Sequence, residues 1–143
     1  MIYKLSHQAI NRSFILFTTS LLFLTFSCKK EAGEGGTSAI TGYVYAKDYN
    51  KDNQPKNPPV EYYESEERVY IVYGDNGIYN DDTDTHSDGS YIFRDLRKGI
   101  YTVFVYSDDT TGTVASDKVT VEKTVEITDN KQIVTLDNLI IIK

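Results

Sequence analysis

The side chains best suited to chemistry in this sequence are oxygen-bearing groups crowded into one acidic stretch. Residues 75–88 read DNGIYNDDTDTHSD. Calcium takes about six to eight oxygen ligands from flexible loops, and alternate residues of an extended chain point to the same side. A calcium site is therefore one hypothesis, with Asp75, Asn80, Asp82, Asp84 and Asp88 as its ligands. An ordinary solvated acidic loop is the alternative. In this stretch Thr85 occupies the position of the EF-hand glycine, and no glutamate closes the loop.

Nucleophilic and zinc chemistry lack the residues that they require. The chain contains one cysteine, Cys28, and two histidines, His7 and His86. Since His7 lies in a predicted signal segment, His86 is the one imidazole left for the folded part, and it stands in a turn-rich stretch. Neither a cysteine–histidine pair nor a zinc site of clustered histidines can be assembled. We predict that the protein is not an enzyme and has no cofactor other than the calcium considered above.

The charge balance excludes several kinds of partner. The chain carries 15 basic and 21 acidic side chains, for a formal net charge of -6. An acidic protein is repelled by nucleic acid, so we predict no nucleic-acid partner. The sequence also lacks a lysine- or arginine-rich run that would bind anionic lipid directly. A single cysteine rules out an intramolecular disulfide framework.

The first residues predict an export signal rather than part of the fold. Lys4 and Arg12 precede the apolar run Phe14–Phe26, which is too short to span a bilayer but typical of a signal-peptide core. The run ends in Ser27-Cys28, which resembles a bacterial lipobox. We therefore predict a lipoprotein signal peptide at residues 1–27 and an acylated, diacylglycerol-modified Cys28 that anchors the protein to a membrane.

The residues after Cys28 predict where the anchor is delivered. Lys29-Lys30-Glu31 is similar to the surface-export signal of Bacteroidota lipoproteins, and no aspartate follows the cysteine, which favours the outer membrane. We predict a lipid anchor in the outer membrane, on its periplasmic or cell-surface face. Gly33–Ser38 (GEGGTS) is glycine-rich, so residues 28–38 are predicted to be a lipidated flexible tether.

Residues 39–143 show the period-2 alternation of β-strands and no helical periodicity. Apolar residues alternate with polar or aromatic ones in 40–47, 68–73, 91–96, 101–106 and 118–127, and 133–142 supply one or two closing strands. The segment from Asp48 to Glu67 holds all three prolines and is predicted to be a long loop. We predict an all-β domain, a single antiparallel β-sandwich of about seven strands.

The stretch from Asp88 to Tyr106, DGSYIFRDLRKGIYTVFVY, carries a more specific pattern. A turn, a strand ending in Leu96, Gly99 and a second strand follow one another. This order resembles the carboxypeptidase regulatory-like, Cna B-type and prealbumin-like (Ig-like) β-sandwich domains. The resemblance implies the sandwich scaffold without the peptidase, isopeptide or hydrolase chemistry of some members. Since related adhesin repeats bind calcium near this motif, the resemblance also admits the calcium hypothesis.

Aromatic side chains provide the remaining functional signal. They lie on the strand faces opposite the predicted core, as Tyr43, Tyr45, Tyr70, Phe104 and Tyr106. If their strands share a sheet, its outer surface is a tyrosine-rich docking face for an outer-membrane protein or a glycan. Tyrosine also stabilises sheets without binding anything. We predict a structural spacer or protein-interaction module, with a carbohydrate-binding accessory lipoprotein as the alternative.

Overall fold

The computed structural model of the protein describes residues 31–143. The predicted signal peptide and Cys28 lie outside the described residues. None of the described residues belongs to a helix long and apolar enough to cross a membrane. They form nine strands: β1 Glu34–Lys47, β2 Glu61–Tyr63, β3 Arg68–Tyr73, β4 Asp81–Asp84, β5 Ser90–Leu96, β6 Gly99–Asp108, β7 Lys118–Ile127, β8 Ile133–Thr135 and β9 Leu139–Ile142.

The first sheet is built around the long strand β1. On one side β1 pairs antiparallel with β5 and then with β2, and on the other side it pairs parallel with β8 and then with β9. One strand of 14 residues thus provides the centre of a five-stranded sheet. The second sheet has the order β4-β3-β6-β7, and all of its pairings are antiparallel.

The two sheets enclose one core, which confirms the prediction of a β-sandwich. In the core, the fully buried side chains of β1, β3 and β6 lie at the inward-facing positions that alternation predicted, because successive side chains of a strand point to opposite faces. The fully buried members are Ile40, Val44, Ala46, Val69, Ile71, Tyr91, Tyr101, Val103, Val105, Leu139 and Ile141. The apolar run of β9 is only half inside, since Ile140 between two of these residues faces out and is 48% exposed.

Four strands differ from the sequence-based prediction. The short strands β2 and β4 form in polar segments that we predicted to be loops, because each pairs along the edge of a longer strand. The closing segment 133–142 divides into β8 and β9, and both run parallel to β1. The sandwich therefore has nine strands rather than about seven, and its antiparallel pattern has two parallel exceptions.

Strand β1 begins at Glu34, so the last five residues of the predicted flexible tether are part of the sheet. Glu34 and Ser38 both pair with Leu96 of β5, across a register shift that marks a β-bulge. A Cβ placed on Gly36 would lie 1.8 Å from the backbone oxygen of Leu96. The glycines that suggested flexibility are therefore needed because two backbones approach closely here.

Candidate functional site

The acidic stretch is organised by an arginine from the neighbouring strand. Arg68 Nε donates a hydrogen bond to Asp84 Oδ1 at 2.6 Å, and its Nη1 donates to Asp82 Oδ2 at 2.5 Å. These hydrogen bonds, first to Asp84 and then to Asp82, raise the pKa of Arg68. The guanidinium pairs with both carboxylates and offsets one of their two negative charges, at the place where the hypothesis put a calcium ion.

The other three predicted calcium ligands make contacts elsewhere. Asn80 Oδ1 accepts the backbone N–H of Tyr73 at 2.8 Å, and Asp88 Oδ1 accepts the backbone N–H of Ser90 at 3.0 Å. Asp75 lines a groove on the outer face of the second sheet. Within residues 31–143 no group of three or more acidic, histidine or cysteine side chains is arranged to hold a metal ion. The structure does not bring the five candidates together.

The five predicted aromatic residues do not share a face. Strand β1 lies in the first sheet, whereas β3 and β6 lie in the second. Tyr43 and Tyr45 therefore project from the opposite side of the sandwich to Tyr70, Phe104 and Tyr106. The condition on which the single docking face depended, that these strands form one sheet, is not met.

On the first sheet, β2 completes a small cluster that we call the β1–β2 aromatic cluster: Tyr43, Tyr45 and Tyr63. The ring of Tyr63 lies 5.3 Å from that of Tyr43 and 5.2 Å from that of Tyr45, measured between ring centroids. Tyr45 also donates a hydrogen bond from its hydroxyl to Glu61 Oε2 at 3.1 Å. Part of the segment predicted to be a loop thus packs on the aromatic side chains of β1.

On the second sheet, four rings form the β3–β6 aromatic cluster: Tyr70, Tyr79, Phe104 and Tyr106. Tyr70 and Phe104 are directly paired across the strands, and their rings stack at 5.0 Å with an interplanar angle of 15°. Tyr106 meets both rings edge-on, at 5.6 and 5.7 Å, and Tyr79 meets Tyr70 at 4.8 Å. Tyr106 remains 44% exposed and Tyr79 48% exposed, so the cluster presents aromatic surface to solvent.

A groove of about 460 Å³ lies beside this cluster, and we call it the β6–β7 groove. The loop after β3 contributes residues 74–77 to its lining. The sheet contributes Val72, Thr102, Phe104, Tyr106, Thr120 and Glu122. A Cβ placed on Gly74 or Gly77 would meet no atom within 4 Å, so these two glycines are not packed against other residues. The groove combines the rings of Phe104 and Tyr106 with hydroxyl, amide and carboxylate groups, so it offers both apolar and hydrogen-bonding surface to a ligand.

The electrostatics of the groove are set by acidic side chains. Asp75 and Glu122 both line it, and the lining contains no cationic side chain from residues 31–143. The three cations in the strands of this sheet have other partners: Arg68 binds Asp82 and Asp84, Lys118 binds Asp108, and Lys123 binds Asp137. The groove therefore carries a negative potential next to an aromatic surface.

Sequence reasoning found three of the four rings of the β3–β6 cluster and missed the rest of the site. Tyr79 lies in the segment between β3 and β4, where no alternation marked it. In residues 118–127 the alternation puts Thr120 and Glu122 on the polar outer face of β7. The alternation gives no reason to connect these two residues with β6. The pairing of Phe104 with Glu122 across β6 and β7 is what unites them.

Comparisons with known proteins add little to this geometry. No protein-family model matches the sequence, and a search of curated proteins finds no significant match. Among solved structures, the chain is similar to the crystal structure of a Pseudomonas aeruginosa protein provisionally described as a carbohydrate-binding protein. The TM-score is 0.46 at 12% sequence identity, over 78% of this chain and 92% of that chain.

The class of protein follows from the strands themselves: the chain contains an all-β sandwich of two mainly antiparallel sheets. The resemblance to carboxypeptidase regulatory-like, Cna B-type and prealbumin-like domains stays a prediction at the level of the family.

Proposed function

We propose that the protein is a non-enzymatic, lipid-anchored outer-membrane protein that binds carbohydrate in the β6–β7 groove. The observation that carries this proposal is the exposed Tyr106 ring beside a groove that also holds hydroxyl, amide and carboxylate side chains. The proposal develops the carbohydrate-binding alternative from the sequence, because the second sheet provides both an aromatic surface and a groove of about 460 Å³ with polar walls.

The chemistry of the groove matches that of a sugar. A sugar ring has apolar C–H faces that pack on aromatic rings and a rim of hydroxyl groups that donate and accept hydrogen bonds. Phe104 and Tyr106 supply the aromatic surface. Thr120 and Asn76 supply groups that both donate and accept, and Glu122 supplies an acceptor. The Thr102 hydroxyl is hydrogen-bonded to the Thr124 hydroxyl at 3.1 Å and keeps acceptor capacity for a ligand. A binding module needs no catalytic group, in agreement with a chain that has only two histidines and one cysteine.

A protein-interaction or spacer module is the second candidate, and the opposite face favours it. In the β1–β2 aromatic cluster, Tyr63 is 50% exposed, and Tyr45 pairs with Ile140, which is 48% exposed. These side chains form a mainly apolar surface, and the nearby groove lined by Lys47 and Glu61 is small, about 110 Å³. Such a surface suits a flat protein contact better than a sugar.

The fold supports a short anchor if Cys28 is lipidated. Ala32 packs against the hydrophobic core, and β1 begins at Glu34. The four residue steps from Cys28 to Ala32 span at most roughly 14 Å. We expect the sandwich to sit close to the membrane surface. The mass of the purified protein should include a diacylglycerol and an acyl chain on Cys28. A Cys28→Ser variant should no longer be found in the membrane fraction. An unmodified mass for the wild-type protein would show that the anchor proposal is wrong.

Carbohydrate binding can be measured with the full-length protein in a detergent without a sugar headgroup. Affinity electrophoresis through gels that contain galactomannan, xyloglucan or mixed-linkage β-glucan reports binding as retarded migration. We expect at least one of these polysaccharides to retard the protein. The Tyr106→Ala variant should bind it up to about tenfold more weakly, because one aromatic contact is removed.

The matched control is Tyr63→Ala, which removes a similarly exposed tyrosine from the other sheet. Weakened binding by Tyr106→Ala and unchanged binding by Tyr63→Ala would support the groove. The reverse pattern would place the site on the first sheet and overturn the assignment. If no polysaccharide in a broad panel retards the wild-type protein, carbohydrate binding is wrong, and the interaction or spacer role becomes the better account.

A further inference from the structure

We propose that the β6–β7 groove selects uncharged glycans and rejects glycans that carry carboxylate groups. This inference rests on the proposed carbohydrate-binding function, and it names the class of sugar. It follows from the placement of two acidic side chains, Asp75 and Glu122, in the lining of a groove that has no cationic side chain among the described residues.

The two carboxylates come from different parts of the second sheet. Asp75 belongs to the loop after β3, and Glu122 belongs to the outer face of β7. Across the strands, Glu122 is paired with Phe104, which is in turn paired with Tyr70, and Tyr70 is paired with Asp82. A ligand on the aromatic rings is therefore bordered by Glu122 on the β7 side and by Asp82 on the β4 side of the same face.

Of the carboxylates of Asp75, Glu122 and Asp82, only that of Asp82 has a cationic partner among the described residues. Arg68 forms an ion pair with Asp82. No lysine or arginine among residues 31–143 forms an ion pair with Asp75 or Glu122. Hydroxyl groups of an uncharged sugar can donate hydrogen bonds to these acceptors. A uronate would place a third negative charge beside them, and like charges at short range oppose binding.

A cationic partner, such as a basic protein segment, fits the groove less well than a sugar. An ammonium or guanidinium group only donates hydrogen bonds, so it would satisfy Asp75 and Glu122. Its charged group would offer no acceptor to Thr120 or Asn76, while the Thr102 hydroxyl is already hydrogen-bonded to the Thr124 hydroxyl at 3.1 Å. Sugar hydroxyls both donate and accept, and they therefore match all of the polar groups of the lining.

The test compares each polysaccharide that retards the protein with the same polysaccharide after its C6 hydroxyls are oxidised to carboxylates. We expect the oxidised form to bind at least about tenfold more weakly at low ionic strength. The difference should shrink as salt is added, because added ions screen the repulsion. In the Glu122→Gln variant, the ratio of the two affinities should narrow by about fivefold, because one negative charge is removed.

The Glu126→Gln variant is the matched control. Glu126 lies four residues further along the same outer face of β7 and outside the groove lining. Its substitution changes the net charge of the protein by the same amount, so it should leave the affinity ratio unchanged. An equal effect of Glu122→Gln and Glu126→Gln would mean that net charge, rather than the groove, determines selection, and would overturn the inference.

The remaining outcomes separate this inference from the proposed function. Equal binding of the uncharged and oxidised polysaccharides would overturn charge selection and leave carbohydrate binding intact. Failure of every polysaccharide to bind would overturn both. Polylysine serves as a basic probe in the same gels, and retardation by polylysine alone, abolished in Glu122→Gln but not in Glu126→Gln, would replace the sugar by a basic protein partner.

Discussion

The hydroxyl of Tyr101 on β6 holds Gly33, which lies 68 residues earlier and just before β1. The Gly33 N–H donates to the hydroxyl oxygen at 2.9 Å, and the hydroxyl lies 2.8 Å from the backbone oxygen of Arg97, to which it donates. The backbone N–H of Arg97 donates to the Gly33 oxygen at 2.8 Å. One buried tyrosine thus connects Gly33, the residue before β1, to the turn between β5 and β6.

This arrangement predicts that Tyr101→Phe destabilises the sandwich. The substitution keeps the buried ring and removes the hydroxyl, which leaves the buried Gly33 N–H without its acceptor. We expect a loss of about 1–3 kcal/mol in the free energy of unfolding, measured by urea denaturation. An unchanged urea midpoint would mean that water replaces the hydroxyl and that the Tyr101–Gly33 contact does not stabilise the fold.

The same substitution at a second buried tyrosine should act in the opposite direction. Tyr91 is fully buried, and its hydroxyl has no hydrogen-bond partner among the described residues. Burial raises the pKa of this phenol. Because Tyr91→Phe removes an unpaired polar group, the free energy of unfolding should stay the same or rise by up to about 2 kcal/mol. Urea denaturation of both phenylalanine variants side by side provides the comparison, and equal destabilisation would contradict it.

Gly36→Ala tests whether the glycine-rich segment is strand or tether. The added Cβ would lie 1.8 Å from the Leu96 backbone oxygen, so β1 and β5 would have to separate. We expect a loss of at least about 2 kcal/mol in thermal or urea unfolding. Gly77→Ala is the control, because a Cβ there meets nothing within 4 Å, and it should change stability by less than about 0.5 kcal/mol. A flexible tether would make both substitutions neutral.

The loop between β6 and β7 should loosen in acid because it is organised by one carboxylate. Asp109 Oδ1 accepts both the side chain and the backbone N–H of Thr111, and Oδ2 accepts the N–H groups of Thr113 at 2.7 Å and Val114 at 2.9 Å. The hydrogen bond from the Thr111 side chain is the main cause of the lowered pKa of Asp109, followed by the backbone N–H groups.

Because this pKa is lower in the folded state, the stabilisation is present above the ordinary aspartate pKa of about 3.9 and is lost as the pH falls through the folded value. The amide proton of Val114 should therefore keep its NMR position from neutral pH to about pH 4 and shift only in stronger acid. Asp109→Asn should displace this resonance at every pH. A midpoint near the ordinary aspartate value in the wild-type protein would contradict the prediction.

Arg68 should determine whether the acidic strand β4 responds to calcium. In the wild-type protein the guanidinium forms ion pairs with both Asp82 and Asp84, so the melting temperature should differ little between millimolar calcium and a chelator. Arg68→Gln leaves the two carboxylates close together without a cation, and calcium should then raise the melting temperature of the variant. An increase of similar size in the wild-type protein would support the calcium hypothesis instead.

The strands that could be predicted are those whose own residues show the period-2 alternation. In β3, β5, β6 and β7, apolar residues alternate with polar or aromatic ones, and the fully buried residues of these strands lie where the alternation put them, except Leu96, which lies three positions after Phe93. Strand β4 reads Asp81-Asp82-Thr83-Asp84 and has no apolar residue to mark it. It forms because it pairs with β3, where Arg68 lies opposite Asp84.

The candidate site was predictable only in part, for a related reason. Alternation identified Tyr70, Phe104 and Tyr106 as outward-facing, and it identified Tyr43 in the same way. Outward-facing residues share a surface only when their strands share a sheet, and β1 pairs with strands of the other sheet. The loop that completes the groove, residues 74–77, has no periodicity at all, so its position could not be predicted.

The sequence by itself determined the all-β class, the alternation of inward and outward side chains and the shortage of histidine and cysteine. Tertiary structure decided the rest. It separated Tyr43 and Tyr45 from the β3–β6 aromatic cluster and placed Arg68 between two aspartates. It also fastened Gly33 beneath Tyr101. The physical reason is that side-chain alternation is a property of the extended backbone at each residue, whereas strand pairing joins residues many positions apart and depends on packing the whole core.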